Sequence, residues 1–266
     1  MPGPVEALGS VQSQDLCMYQ GLWRCQGFWR CWAKEAVHDT QLLEEAREHV
    51  TVETQEGPLR GELLETYTGN PMFRFLGIPH AEPPVGDLRF QPPVKKAAWS
   101  EVRDALSMAS HCPQRKSGLP SGDEDCLYLN VYGPGTPSQS ATKKAVMVWI
   151  HGGCFTEGSG ESAKPNYFVD NDVIVVSINY RLGLLGFLST GDGVVPGNMG
   201  LKDQTEALRW VQRNIAAFGG DPDKVTIFGQ SAGGASVHYH VLSSSSKGEG
   251  EMGFSEYMAL LVDNRK

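Results

Sequence analysis

The sequence predicts an α/β fold in which helices cover a mainly parallel central sheet. Apolar runs of strand length recur at residues 145–150, 173–178 and 225–228. Residues 204–218 have the periodicity of an amphipathic helix and lie between the last two runs. Strands that alternate with helices are typical of parallel sheets covered on both faces. With 266 residues, 40% of them hydrophobic and 20% charged, the chain is long enough to build such a core.

The part of the chain before these strands predicts further strands of the same sheet. Residues 50–54 alternate between apolar and polar side chains, as an edge strand does. Gly57 and Gly61 predict the turn of a hairpin after it. Residues 73–79 and 127–132 are apolar runs of strand length, and we expect both to be strands.

The helix predicted at residues 204–218 has boundary signals at both ends. Asp203 is expected to cap its first turn, because a carboxylate accepts hydrogen bonds from the free N–H groups of a helix start. Gly219 and Gly220 are expected to end it. The next strand, at residues 225–228, leads directly into the sequence that carries the predicted chemistry.

Composition and charge narrow the classes of partner. The net charge of −8 argues against a nucleic-acid-binding surface. No apolar run approaches the length of a membrane span, and no signal peptide is visible at the N-terminus. Cysteines 17, 25 and 31 with His38 lack the close paired spacing of zinc ligands, so neither a metal site nor a cofactor is expected.

Residues 229–233, G-Q-S-A-G, match the G-x-S-x-G pattern of a nucleophile elbow. They follow the apolar run and precede a helix-compatible segment at residues 235–242, which is the context that the pattern requires. Glycines on both sides allow the strained backbone of such a turn, which presents Ser231 at the positive end of a helix. A chance match without catalytic meaning is the alternative for the pattern taken alone.

A second glycine-rich segment, His151-Gly152-Gly153-Cys154-Phe155, follows the strand predicted at residues 145–150. Small consecutive residues leave backbone N–H groups free to point at one spot. A serine hydrolase needs such groups, together with the N–H of the residue after the serine, to stabilise an oxyanion. A glycine-rich turn without a ligand is the alternative. The two patterns together favour acyl transfer.

These residues resemble a known family. Residues from about 50 to 247 are similar to the N-terminal part of the type-B carboxylesterases, the branch of the α/β-hydrolases that includes the cholinesterases. The resemblance is carried by residues 73–84, 88–90, 124–131, 179–183, 197–204 and 229–242. It implies an α/β-hydrolase fold and a serine enzyme that hydrolyses a small-molecule carboxylic ester through an acyl-enzyme.

The resemblance also assigns roles to individual residues. It implies that Ser231 is the nucleophile and that the N–H groups of Gly153, Cys154 and Ala232 form the oxyanion hole, with Gly152 shaping the turn. It further implies a disulfide and two buried ion pairs with structural roles: Cys112 with Cys126, Arg89 with Glu124, and Arg181 with Asp203. Gln230 beside the serine, with residues 89–90 and 203–204, is similar to the pattern of juvenile hormone esterases, and residues 186–192 resemble those of arthropod esterases.

Three segments are expected: a non-family N-terminal extension at 1–48, a partial α/β-hydrolase domain at 49–247, and a divergent tail at 248–266. We expect the fold to be truncated after the helix that follows Ser231, and hypothesise that the tail is translated intron sequence. His238 lies about 10.5 Å along that helix from Ser231 and cannot reach its hydroxyl. The chain is therefore expected to be a weakly active or inactive form, or alternatively a non-catalytic binding or adhesion-type member or decoy. The resemblance suggests a secreted protein.

Overall fold

A computed structural model describes residues 48–116, 118–137, 142–243 and 256–257. The cysteines and histidine weighed as zinc ligands lie outside the described residues, as do nearly all of the predicted N-terminal extension and most of the predicted tail. The boundaries assigned to the three segments stay a prediction.

The described chain builds one large mixed sheet and four α-helices. Its strands are β1 His49–Glu53, β2 Pro58–Glu65, β3 Pro71–Pro79, β4 Arg103–Asp104, β5 Gln114–Lys116, β6 Leu119–Ser121, β7 Tyr128–Pro134, β8 Lys144–Ile150, β9 Ile174–Ile178, β10 Gly220–Gly229 and β11 Glu256–Tyr257. Its α-helices are α1 Asn166–Asp170, α2 Gly183–Phe187, α3 Met199–Asn214 and α4 Ala232–Leu242, and short 3-10 turns occur at Gly86–Leu88, Gly160–Ser162 and Ile215–Phe218.

The strand order in the large sheet is β1-β2-β3-β7-β9-β8-β10-β11, with β4 beside β2. The pairs from β9 through β8 and β10 to β11 are parallel, as the alternation of strands and helices predicted. The pairs β1–β2, β2–β3, β3–β7 and β7–β9 are antiparallel. The first two join consecutive strands, which short turns connect. β5 and β6 form a separate hairpin.

Two local predictions were wrong. Gly61 lies inside β2 and not in the hairpin turn. Its lack of a side chain serves close strand packing, because a Cβ there would come within 2.6 Å of the Arg74 carbonyl oxygen on the neighbouring strand. Asp203 lies inside α3 and does not cap it, since the helix begins at Met199 after Asn198 in the left-handed conformation. The predicted end was correct, with Gly219 at φ 87° closing the 3-10 turn that extends α3.

The two faces of the sheet are covered unequally. On one face the inward-facing residues of β8 and β10 pack with the apolar stripe of α3 and with Val237 of α4 in the larger hydrophobic core. On the other face a smaller cluster forms around Val169 of α1 together with Tyr132 and Val175 of the sheet. Within this frame Ile150 pairs with Gly229, so β8 and β10 end side by side at their carboxyl ends.

Candidate active site

The ends of β8 and β10 bring the two glycine-rich segments into contact. A Cβ placed on Gly152 would lie 2.6 Å from the Gln230 carbonyl oxygen and 3.2 Å from the Cβ of Ser231. These distances are those of touching backbones, and Gly152 is the residue that permits them. The parallel strands thus join, at one edge of the sheet, two segments that are 77 residues apart when counted from Gly152 to Gly229.

Ser231 occupies a sharp turn between β10 and α4. Its backbone angles, φ 58° and ψ −121°, are strained for a residue with a side chain. Cβ atoms on Gly229 and Gly233 would come within 2.6 Å and 2.0 Å of the Ile150 carbonyl oxygen, so both positions exclude other residues. Ser231 is exposed, and its hydroxyl neither caps α4 nor forms a hydrogen bond with any described residue. The hydroxyl is therefore free to react.

Residues 151–155, which we name the oxyanion turn, form a tight loop at the end of β8. Gly153, Cys154 and Phe155 all have positive φ, at 102°, 53° and 60°. The Gly153 carbonyl accepts hydrogen bonds from the N–H groups of the two residues that follow Phe155, at 2.9 Å and 3.0 Å. The Gly183 N–H donates to the Phe155 carbonyl at 2.7 Å and anchors the far end of the turn.

His151 is buried and stabilises the oxyanion turn. Its Nδ1 lies 2.8 Å from the Gly152 carbonyl oxygen, and its ring stacks on Tyr180 at 4.3 Å between centroids. The Tyr180 hydroxyl in turn donates to the His151 carbonyl at 2.9 Å. Burial lowers the pKa of His151 to about 4, so the ring is neutral at pH 7 and its Nδ1–H donates to the carbonyl. This bond gives the histidine a structural role.

Backbone N–H groups on both segments are free of protein acceptors. In the described part of the chain, the N–H groups of Gly153, Cys154 and Ala232 donate no hydrogen bond. Ala232 is the first residue of α4, whose dipole places partial positive charge at this end. The geometry thus combines a free serine hydroxyl, free amide donors and a helix N-terminus, which together suit a developing oxyanion.

A family model described as the Carboxylesterase family matches residues 48–252. The chain belongs to the carboxylesterase family. Venom carboxylesterase-6 of Apis mellifera is 49% identical over 210 residues, which cover 77% of this chain and 38% of that protein. Esterase FE4 of Myzus persicae is 50% identical over 203 residues, covering 74% and 36%.

Among solved structures, one titled PNB esterase superposes with a TM-score of 0.70 at 43% identity and covers 79% of this chain and 43% of that one. The resemblance to type-B carboxylesterases and the predicted α/β-hydrolase fold are confirmed. The chain spans less than two fifths of the length of the two insect relatives named above. The predicted resemblance to arthropod esterases is confirmed by these insect relatives. The narrower similarity to juvenile hormone esterases stays a prediction.

The covalent framework that the family resemblance implied is present. Cys112 and Cys126 form a disulfide, and both are buried. The bond closes a loop of 14 residues that carries the β5–β6 hairpin and lies ahead of β7. Cys154, in the oxyanion turn, is a free and exposed thiol.

The two predicted ion pairs form, but only one is buried. Arg181 binds Asp203 through two guanidinium contacts of 2.6 Å and 2.8 Å, and its backbone N–H adds a third at 3.0 Å. Burial raises the pKa of Asp203, while the guanidinium opposes that rise. Arg89 and Glu124 also pair through two contacts, yet their side chains are 41% and 28% exposed, so the expectation of burial was wrong for this pair.

A cleft of about 730 Å³ runs along the oxyanion turn. Gly152, Gly153 and Gln230 form the wall nearest to the elbow, and Trp149 contributes an apolar surface. Ser231 flanks this wall without lining the cleft itself. Glu157 and Glu161 are the two carboxylates of the lining.

The two histidines of α4 differ in burial, although helix packing was the expected role of both. His238 is exposed, whereas His240 is buried with its Nε2 2.9 Å from Oε1 of Gln204 on α3. His80 is also buried, with its Nε2 3.3 Å from the Asn179 carbonyl oxygen. Among the residues that the structure describes, no histidine forms a hydrogen bond with Ser231.

The sequence indicated the two glycine-rich segments of the candidate site but not the residues that support them. Tyr180 supports His151 from a loop 29 residues away, and a Cβ on Gly158 would lie 2.3 Å from the His151 Nδ1. Contacts between residues that are far apart in the chain leave no periodic pattern in the sequence. The position of His151 directly before the glycines was the only local indication.

Proposed function

We propose that this chain carries the nucleophile and the oxyanion-binding half of a serine carboxylic ester hydrolase that acts on a small-molecule ester without a cofactor. The observation that carries the proposal is the close packing of Gly152 against Ser231, because it sets the segment with the free N–H groups of Gly153 and Cys154 beside the turn that carries the serine. Membership of the carboxylesterase family and the esterase names of the relatives support it.

In the proposed reaction the Ser231 oxygen attacks the acyl carbon and the carbonyl oxygen becomes an oxyanion. The N–H groups of Gly153, Cys154 and Ala232 stabilise that oxyanion, and removal of one such donor typically lowers the rate by about 10²–10³-fold. The bond to the alcohol then breaks, the alcohol leaves with the serine proton, and water hydrolyses the acyl-enzyme. Gly152 contributes space and no donor.

The proton of Ser231 requires a base for efficient turnover. No histidine among the described residues forms a hydrogen bond with Ser231, and the three buried ones have other partners and are weak bases, because burial lowers the pKa of each to about 4. We therefore propose that the chain by itself turns over esters slowly, with the rate that a positioned hydroxyl and an oxyanion hole provide without a base.

The test is covalent labelling with a fluorophosphonate, in which the serine oxygen forms a bond to phosphorus and fluoride leaves. We expect one adduct on the unmodified chain, located at Ser231 by peptide mass spectrometry, and none on Ser231→Ala. Ser100→Ala is the matched control, since it removes an exposed hydroxyl from the connection between β3 and β4 and should label normally.

The same experiment separates a non-catalytic binding or adhesion-type protein from an enzyme. A folded chain that gives no adduct at Ser231 would contradict the hydrolase proposal and favour a binding role. Hydrolysis of a p-nitrophenyl ester, measured on the same samples, then reports turnover. Fast hydrolysis that is lost in Ser231→Ala would contradict the slow turnover proposed above.

A further inference from the structure

A buried chain of hydrogen bonds joins α3 to α4 directly behind Ser231. His240 Nε2 lies 2.9 Å from Oε1 of Gln204, and Nε2 of Gln204 donates to Oγ of Ser236 at 3.1 Å. The Ser236 hydroxyl donates to the Ala232 carbonyl at 2.9 Å. Gln204 and Ser236 are fully buried and His240 is 2% exposed, so water does not compete for these bonds.

We name the hydrogen-bonded chain of His240, Gln204, Ser236 and Ala232 the relay. Each group in it can act in only one way, as donor or as acceptor, in each bond. The Ala232 carbonyl only accepts, so Ser236 uses its one proton there and must accept from the amide nitrogen of Gln204. The amide oxygen of Gln204 then accepts from His240, which places the histidine proton on Nε2. Burial lowers the pKa of His240 to about 4, so a neutral ring with this tautomer is present at pH 7. Only this arrangement of donors and acceptors is compatible with all three bonds.

The relay has a counterpart on the neighbouring residue of α3. Asp203, next to Gln204, binds the buried guanidinium of Arg181. Tyr180 and Gly183, which are close to Arg181 in sequence, donate hydrogen bonds to the carbonyls of the first and last residues of the oxyanion turn. Two consecutive residues of α3 are thus connected to the two segments that carry the amide donors.

We propose that Gln204, acting through Ser236 and Ala232 and oriented by His240, is a positioning residue that aligns the Ala232 N–H with the donors of the oxyanion turn. This inference rests on the proposed function, because alignment of the donors matters only if Ser231 reacts. The relay contacts the first residue of α4, so a shift of α4 against α3 moves the Ala232 donor relative to the sheet. A displacement of about 1 Å at such a donor is enough to change a rate strongly.

The test measures fluorophosphonate labelling over a range of reagent concentrations, which separates the maximal labelling rate from the half-saturating concentration. Gln204→Met keeps the length of the side chain and removes both polar groups. We expect its maximal rate to fall about 10-fold with the half-saturating concentration unchanged, a smaller loss than the ~10²–10³-fold that follows removal of a donor. Ser236→Ala is the second variant, because it makes the smallest change in volume and keeps a helix-favouring residue.

Thr205→Val is the matched control. Thr205 lies beside Gln204, and its hydroxyl donates to the Leu201 carbonyl at 3.0 Å within α3, so the variant loses a bond of the same kind without touching α4. It should label like the unmodified chain. The double variant Gln204→Met with Ser236→Ala should be no slower than the slower single variant, since residues that act as a unit are not additive.

The outcomes separate the two proposals. If the unmodified chain gives no adduct at Ser231, the proposed function fails and the positioning role fails with it. If the unmodified chain reacts and both single variants react at its rate, only the positioning role is overturned. A lower unfolding temperature with unchanged labelling kinetics, or a loss equal to that of Thr205→Val, would show that the relay only stabilises the fold and would overturn the proposal.

Discussion

Stability should fall steeply between pH 7 and pH 5, because three histidines are buried in their neutral form. The pKa of His80, His151 and His240 is lowered from 6.5 to about 4, and burial is the largest cause for each. Below pH 6.5 the unfolded chain takes up these protons and the folded chain does not. The stability contributed by each neutral histidine is therefore complete above pH 6.5 and is lost as the pH falls towards 4.

The magnitude follows from the pKa difference. For one histidine the loss of unfolding free energy between pH 7 and pH 5 is about 2 kcal/mol. For three such histidines the unfolding free energy falls by about 6 kcal/mol, which is comparable with the whole stability of a typical domain. In this range one histidine contributes about 1 kcal/mol per pH unit to the slope of the free energy against pH.

The assay is urea-induced unfolding at several pH values between 7 and 5. His240→Gln keeps a donor for Gln204 but cannot titrate, so the slope should decrease by about 1 kcal/mol per pH unit. His238→Gln is the matched control, because it makes the same substitution at an exposed position of the same helix. A flat profile, or equal slopes for the two variants, would refute the reasoning that burial holds His240 neutral.

Three further changes should be measurable by unfolding in urea. Gly233→Ala should destabilise the chain by several kcal/mol, because its Cβ would come within 2.0 Å of the Ile150 carbonyl oxygen; an unchanged midpoint would mean that α4 can shift at no cost. Replacement of Cys112 and Cys126 by alanine should cost about 3 kcal/mol, as expected for a loop of this length, and a loss below 1 kcal/mol would contradict that chain-entropy estimate. Cys154→Gly should raise stability by about 1 kcal/mol while Cys154→Ala does not, since only glycine relieves the positive φ, and labelling at Ser231 should survive in both.

The strands and the elbow could be predicted because their signals are local. Apolar runs mark β8, β9 and β10, and the spacing of glycines around Ser231 reports a turn that only small residues allow. Gln204 illustrates what could not be predicted. On the helical pattern it is one polar residue near the start of α3, and its burial depends on a partner 32 residues later in the chain. The prediction that Asp203 caps the helix was wrong for the same reason, because its carboxylate binds Arg181, which lies 22 residues earlier in the chain.

The arrangement of the donors explains which positions tolerate change. Each N–H of the proposed oxyanion hole belongs to the backbone, and its direction depends on how the ends of β8 and β10 lie against each other. Cys154 therefore still presents an N–H although it is not a glycine and has a positive φ. Gly229 and Gly233 have no such freedom, because both face the carbonyl of Ile150, the last residue of β8. The candidate site is thus expected to be more sensitive to residues that set the packing of α4 and the two strand ends than to the side chains of the oxyanion turn.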